Sequence, residues 1–107
     1  MNGKMAIVIV IGLTLAASAG QARGAAPAAV GIKEFKFAPA ALEVPLGTTV
    51  TWVNHDEETH TITSTTGAFA SRGLGNDETF TQAFTRPGKY EYFCALHPKM
   101  RAAVIVK

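Results

Sequence analysis

The sequence has a single cysteine and almost balanced charges. One cysteine among 107 residues excludes a disulfide within the chain and any zinc or iron–sulfur site built from cysteines alone. Ten Lys and Arg residues against eight Asp and Glu give a net charge of +2, too small for the concentrated basic face of a nucleic-acid-binding protein. The length allows one domain. Disulfide scaffolds and nucleic-acid partners are therefore excluded.

The sequence also has no sustained 3.6-residue apolar period after residue 22, so we predict no substantial helix there. Short segments rich in β-branched and aromatic residues alternate instead with Pro- and Gly-containing turns. In the clearest strand, residues 48–54, Val50, Trp52 and Asn54 share one face. Further strands are expected at 60–63, near Phe69 and at 101–107. Seven or eight such strands predict an all-β sandwich over residues 30–107.

Residues 1–22 are typical of a secretory signal peptide. Lys4 precedes an apolar run, residues 6–17, which would rise about 18 Å as a helix, short of a hydrocarbon core of about 30 Å. Small residues follow, and they predict cleavage after Ala19 or Ala22. An uncleaved anchor is the alternative. Residues 23–29 then form a flexible leader, and we expect an exported protein with no stable membrane insertion.

Three candidate metal ligands follow one another at intervals of three residues: Cys94, His97 and Met100. A lone thiol in an oxidising compartment needs burial or coordination to escape oxidation. Two imidazoles, a thiolate and a weak axial thioether form the electron-transfer copper site, whereas zinc favours a closed set without Met. The pattern predicts one copper ion and requires a second histidine.

The second histidine is either His55 or His60. We favour His60, because it begins a predicted strand and rigid elements define a site better than loops do. His55 directly follows Asn54 and would point to the opposite face. The acidic residues between the two histidines, 56–58, are interpreted as a solvated loop.

In these residues the chain resembles the cupredoxins, the small blue copper proteins. The resemblance covers residues 30–107, and two-residue gaps on both sides of His97 match the short loop of the amicyanin type. It implies an eight-stranded Greek-key sandwich with a single copper ion at one end. The implied ligands are His60, Cys94, His97 and Met100. The resemblance also implies that the Asn54 side chain bridges the loop near His60 and the loop that carries the cysteine.

The resemblance implies a function as well. Such proteins are periplasmic one-electron carriers that cycle between Cu(I) and Cu(II), with a dehydrogenase as donor and a c-type cytochrome as acceptor. We expect a monomer with transient partners and no enzymatic activity. The alternative is copper storage or delivery, although Met-rich and His-rich tracts are missing. A nitrite or oxygen reductase would need a second metal site.

His97 is expected to lie in a loop and to present its ring edge to solvent as the electron port. The apolar residues around it, Ala95, Leu96 and Pro98, would form a rim for brief docking. Lys99 and Arg101 would add positive charge that steers an acidic partner.

Leu96 departs from the family, which usually carries proline directly before this histidine. Unlike proline, Leu96 has a backbone N–H, close in sequence to the Cys94 sulfur. Hydrogen bonding to this sulfur tunes the potential of such sites. We therefore expect the Leu96 N–H to donate to the Cys94 thiolate.

Overall fold

Residues 28–107, described by a computed structural model, form eight β-strands in two four-stranded sheets. The strands are β1 (Ala28–Lys33), β2 (Lys36–Ala38), β3 (Ala41–Val44), β4 (Thr49–Asn54), β5 (Thr63–Ser64), β6 (Thr79–Ala83), β7 (Gly88–Cys94) and β8 (His97–Val106). One sheet has the order β2-β1-β4-β6 and the other β3-β8-β7-β5. The predicted all-β sandwich is confirmed.

The N-terminal predictions fall mostly outside the described residues. The predicted signal peptide and both of its candidate cleavage sites lie outside residues 28–107. β1 begins at Ala28, two residues before the predicted start of the domain. Among residues 28–107, no helix has the length and hydropathy needed to cross a membrane.

Each sheet mixes strands from the two halves of the chain. β1 runs parallel to β4, and β3 runs parallel to β8. Parallel neighbours cannot be joined by a tight hairpin, so the chain crosses between the sheets. These crossovers bring the segment after β4 next to the β7–β8 hairpin, although the two are distant in sequence.

β4 supplies the centre of the core. Val50, Trp52 and Asn54 are fully buried, as their alternation predicts, while the residues between them are more exposed. Aromatic rings surround the Trp52 indole, namely Phe69, Phe80, Phe84 and Tyr92. Truncating a ring of this kind to alanine costs about 3–5 kcal/mol. Asn54 lies on the same buried face of β4 as Trp52, at the end of the strand, so the core extends up to this residue.

Three strand predictions were wrong in their bounds. His60 does not begin a strand; it forms an isolated bridge with Leu74, and β5 starts at Thr63. The strand expected near Phe69 is one bridge between Thr63 and Ala70, because this Gly-containing segment has little tendency to extend a ladder. β8 begins at His97 rather than at residue 101.

Candidate metal centre

The β7–β8 hairpin places Cys94, His97 and Met100. Cys94 pairs with His97 across a tight turn. The residue before it, Phe93, pairs with Arg101, so the three residues of β8 between these two pairs have no partners on β7. Side chains alternate between the two faces along a strand. Cys94 and Met100, the neighbours of Phe93 and Arg101, therefore point to the face opposite the Phe93–Arg101 pair. Both are buried, which shows that this face is the inner one. His97 opens β8 and is half-buried, so its expected place in a loop was wrong.

The nitrogen and sulfur donors converge on one point. The Cys94 Sγ lies 3.7 Å from the His60 Nδ1 and 3.6 Å from the His97 Nδ1. The three donor atoms all lie within 4.8 Å of one another. Met100 lines the groove beside His97. His60 and Cys94 are fully buried, so His97 is the imidazole of the cluster that reaches the surface.

The structure brings His60, and not His55, into this cluster. The His55 side chain is 50% exposed, and its Nδ1 lies 3.9 Å from an oxygen of Asp77. Its backbone N–H donates to the carbonyl of Ile32 at 2.8 Å, and its side chain lies outside the cluster of donors.

Asp56 orients the buried imidazole. Its Oδ2 lies 2.9 Å from the His60 Nε2, which leaves Nδ1 free to face the thiol. The same carboxylate accepts hydrogen bonds from the backbone N–H groups of Glu34, at 2.7 Å, and Phe35, at 2.9 Å. Burial raises the pKa of Asp56, but the hydrogen bonds from Phe35, Glu34 and His60 outweigh it and hold that pKa below its ordinary value. Interpreting residue 56 as part of a solvated loop was wrong.

Asn54 holds the loop that leads to His60. Its Nδ2 donates to the carbonyls of Glu58 and Leu74, each at 2.8 Å, and its Oδ1 accepts from the Asp56 N–H. Leu74 in turn pairs through its backbone with His60. The side chain thus spans two segments around His60, but its hydrogen bonds do not reach the cysteine loop as expected.

Thr61 makes the link to the cysteine loop, a role that no sequence pattern indicated. Its backbone N–H donates to the Cys94 Sγ at 3.3 Å, and its Oγ1 accepts from the Ala95 N–H at 2.8 Å. In residues 28–107 the sulfur has no such bond from Leu96, contrary to expectation. Leu96 lies at the tip of the turn and is 56% exposed, whereas the sulfur is buried.

Phe35 is a second neighbour of the donors that the sequence did not indicate. Its ring meets those of His60 and His97 edge-on, with centroids 5.0 and 4.9 Å apart. Glu34 and Phe35 form the turn between β1 and β2, with φ angles of 55° and 60°. The left-handed region is unfavourable for such side chains, so the turn depends on the contacts that Asp56 and the two imidazoles provide.

The donor set fits the copper ion that the sequence pattern predicts. With the bond lengths known for zinc, an ion of similar size, about 2.0 Å to nitrogen and 2.3 Å to sulfur, and an angle of 120° between the bonds, the two donor atoms would be about 3.7 Å apart. The observed separations of 3.7 and 3.6 Å agree with this value. A thiolate, two imidazoles and a thioether suit both copper oxidation states.

Comparison with known proteins also points to the cupredoxins. The family model for the cupredoxin-like domain matches residues 5–106. Amicyanin from Paracoccus versutus is 34% identical over an alignment of 83 residues, and the match covers 73% of this chain but only 63% of that protein. A solved structure of an amicyanin variant, in its reduced Cu(I) form at pH 4, has a TM-score of 0.72 and 29% identity over 76% of this chain and 82% of that one.

A third similarity is to a larger protein. A Cu-containing nitrite reductase from Thermus scotoductus has a TM-score of 0.72 and 32% identity, covering 77% of this chain but 22% of its own. Fold and site together define a β-sandwich metalloprotein with a blue-copper donor set. The chain belongs to the cupredoxin family, and in sequence and fold it is similar to the amicyanins.

Proposed function

We propose that the protein is a periplasmic one-electron carrier with one copper ion held by His60, Cys94, His97 and Met100. The convergence of two imidazole Nδ1 atoms on one buried thiol, at 3.6 and 3.7 Å, is the observation that carries the proposal. A bound copper ion supplies reversible exchange of a single electron between Cu(I) and Cu(II).

The residues around the donors keep them in place. Asp56 orients the His60 ring, Thr61 ties the cysteine loop to the His60 segment, and Asn54 holds the approach to His60. Hydrogen bonds of this kind fix the positions of metal ligands. A framework that does not rearrange suits electron transfer, because both oxidation states then share one geometry.

His97 provides the route to the surface. It is half-buried, and the neighbouring Ala95, Leu96 and Pro98 are exposed. Apolar, solvent-facing residues around an accessible ligand suit brief contacts with redox proteins. We propose a periplasmic dehydrogenase as electron donor and a c-type cytochrome as acceptor, with the carrier acting as a monomer.

Copper delivery is the second candidate, and burial of the site argues against it. His60 and Cys94 are fully buried, so a receiving protein could reach the ion only from the side of half-buried His97. We also propose that the chain is not an enzyme. The nitrite reductase it resembles is matched over only 22% of its length, so that activity is not carried over.

The visible spectrum after addition of Cu(II) tests the proposal. We expect one copper per chain and an intense blue band from thiolate charge transfer. Cys94→Ala and His60→Ala should lose this band, whereas the matched variant His55→Ala should keep it. Reversible one-electron reduction should follow, with slow loss of copper to a chelator. Copper binding without the blue band, or rapid transfer to the chelator, would contradict the carrier function.

A further inference from the structure

A groove beside His97 is lined by three cationic side chains. Lys36, Lys99 and Arg101 lie around it, and its lining is completed by Phe35, Phe37, Ala40 and Met100. Within the described part of the chain, no acidic residue belongs to the lining. The groove adjoins the one next to His97, and the two share Phe35, Lys99 and Met100. Positive charge thus lies directly next to the exposed edge of the metal centre.

The three cations are available to a partner. The ion pairs between lysine or arginine and carboxylates in residues 28–107 are Arg72–Glu78, Lys89–Glu91 and Lys107–Glu43. None of these pairs includes a groove residue. The Arg101 guanidinium lies 5.5 Å from the centroid of the Phe93 ring, a contact that leaves its charge unneutralised.

The apolar part of the groove is held in a fixed position. Phe35 is 43% exposed, yet its backbone N–H is bonded to Asp56 and its ring packs against two imidazoles. A side chain that is already ordered loses little conformational entropy when it docks. Phe35 is therefore suited to anchor a partner next to His97.

We propose that this groove docks an acidic redox protein, whose carboxylates face Lys36, Lys99 and Arg101 while an apolar patch covers Phe35. The inference rests on the proposed electron-carrier function and specifies the chemistry of its partner. Complementary charge raises the rate of encounter and orients the partner, and the apolar contact brings it close to His97.

The test uses the copper-loaded protein and two c-type cytochromes of similar reduction potential, one acidic and one basic. Electron-transfer rates are measured by stopped flow over a range of ionic strengths. The double variant Lys36→Gln/Lys99→Gln is compared with Lys89→Gln/Lys107→Gln. The control lysines lie at the other end of β7 and β8, where residue 89 pairs with Ile105, and their removal changes the net charge equally.

With the acidic cytochrome at low salt, we expect the groove variant to be roughly tenfold slower than wild type and the control less than twofold slower. Added salt should remove the difference, and the basic cytochrome should not be slowed in the groove variant. Equal effects of the two double variants, or no effect of salt, would overturn the docking site.

Two further measurements examine the metal centre and a membrane surface in turn. An unchanged blue band and reduction potential in the groove variant show that the metal centre is intact. A wild-type protein without that band would instead refute the proposed function. Sedimentation with phosphatidylglycerol vesicles should show no binding; binding that depends on Lys36 and Lys99 would assign the groove to a membrane surface and overturn the protein partner.

Discussion

The Asp56 carboxylate lies 2.9 Å from the His60 Nε2 and joins the buried imidazole to the turn between β1 and β2. One side chain thus orients a candidate ligand and stabilises the backbone that carries Phe35. Because the same carboxylate makes both sets of contacts, its loss should disturb both together.

Asp56→Ala should weaken copper binding by about 10- to 100-fold, the usual effect of removing a group that orients a metal ligand. It should also lower the free energy of unfolding by about 1–3 kcal/mol, because the Glu34 and Phe35 amides lose their acceptor. Chelator competition and urea unfolding measure the two effects. Glu57→Ala, at the exposed neighbouring position, should change neither; similar losses in both variants would refute a specific role for Asp56.

Asn54→Ala should destabilise the fold by about 2–4 kcal/mol, because the Glu58 carbonyl and the Asp56 N–H lose their partner and the Leu74 carbonyl keeps only the His60 N–H as a donor. Asn54→Asp is nearly the same size but replaces the donating amide with a carboxylate facing two carbonyl oxygens. We expect it to be at least as damaging at neutral pH. Urea unfolding of the metal-free protein checks this, and a stable aspartate variant would show that shape rather than hydrogen bonding matters.

Thr61→Val should lower the free energy of unfolding by about 1–2 kcal/mol, because the Ala95 N–H loses its acceptor on the cysteine loop. Thr61→Ser keeps the hydroxyl and should behave almost as wild type. The backbone bond from residue 61 to the Cys94 Sγ remains in both. Broadening of the blue band in the valine variant alone would show that this link orders the loop, whereas equal behaviour of both variants would exclude it.

Tyr92 should make the protein sensitive to alkali. Burial raises its pKa from 10.0 to about 12, and the nearby Trp52 indole N–H offsets only a small part of this rise. Neither that N–H nor the Tyr92 hydroxyl makes a hydrogen bond of normal geometry within residues 28–107. Above pH 10 the unfolded chain loses this proton while the folded chain keeps it. Stability is therefore complete below pH 10 and falls as the pH rises toward 12, by up to about 3 kcal/mol.

Tyr92→Phe should remove most of this decline and cost little at neutral pH, because the lost hydroxyl makes no bond. Tyr90→Phe, which removes a hydroxyl bonded to the Arg86 carbonyl, should retain the decline. Urea unfolding at pH 7, 10 and 11.5 compares them. A decline of the same size in Tyr92→Phe would assign the alkaline transition to another group.

Sequence alone determined the features that depend on neighbouring residues. The sequence pattern along β4 predicts that Val50, Trp52 and Asn54 share its buried face, since successive strand side chains point in opposite directions. The spacing of Cys94, His97 and Met100 predicts the donor set, because one hairpin positions all three. A choice between His55 and His60 was also possible, although the reason given for it, a strand beginning at His60, was wrong.

Tertiary structure alone decided what surrounds the donors. Thr61 meets Ala95 across 34 residues, and Asp56 meets Glu34 across 22. The first contact extends the antiparallel pairing of β5 with β7, and the second extends the parallel pairing of β1 with β4. No periodicity in the chain encodes either pairing. The cationic groove arises in the same way, where β2 meets β8 and brings Lys36 to Lys99. Local pattern could identify the ligands, but only the crossing of the chain between the sheets could identify the residues that hold and expose them.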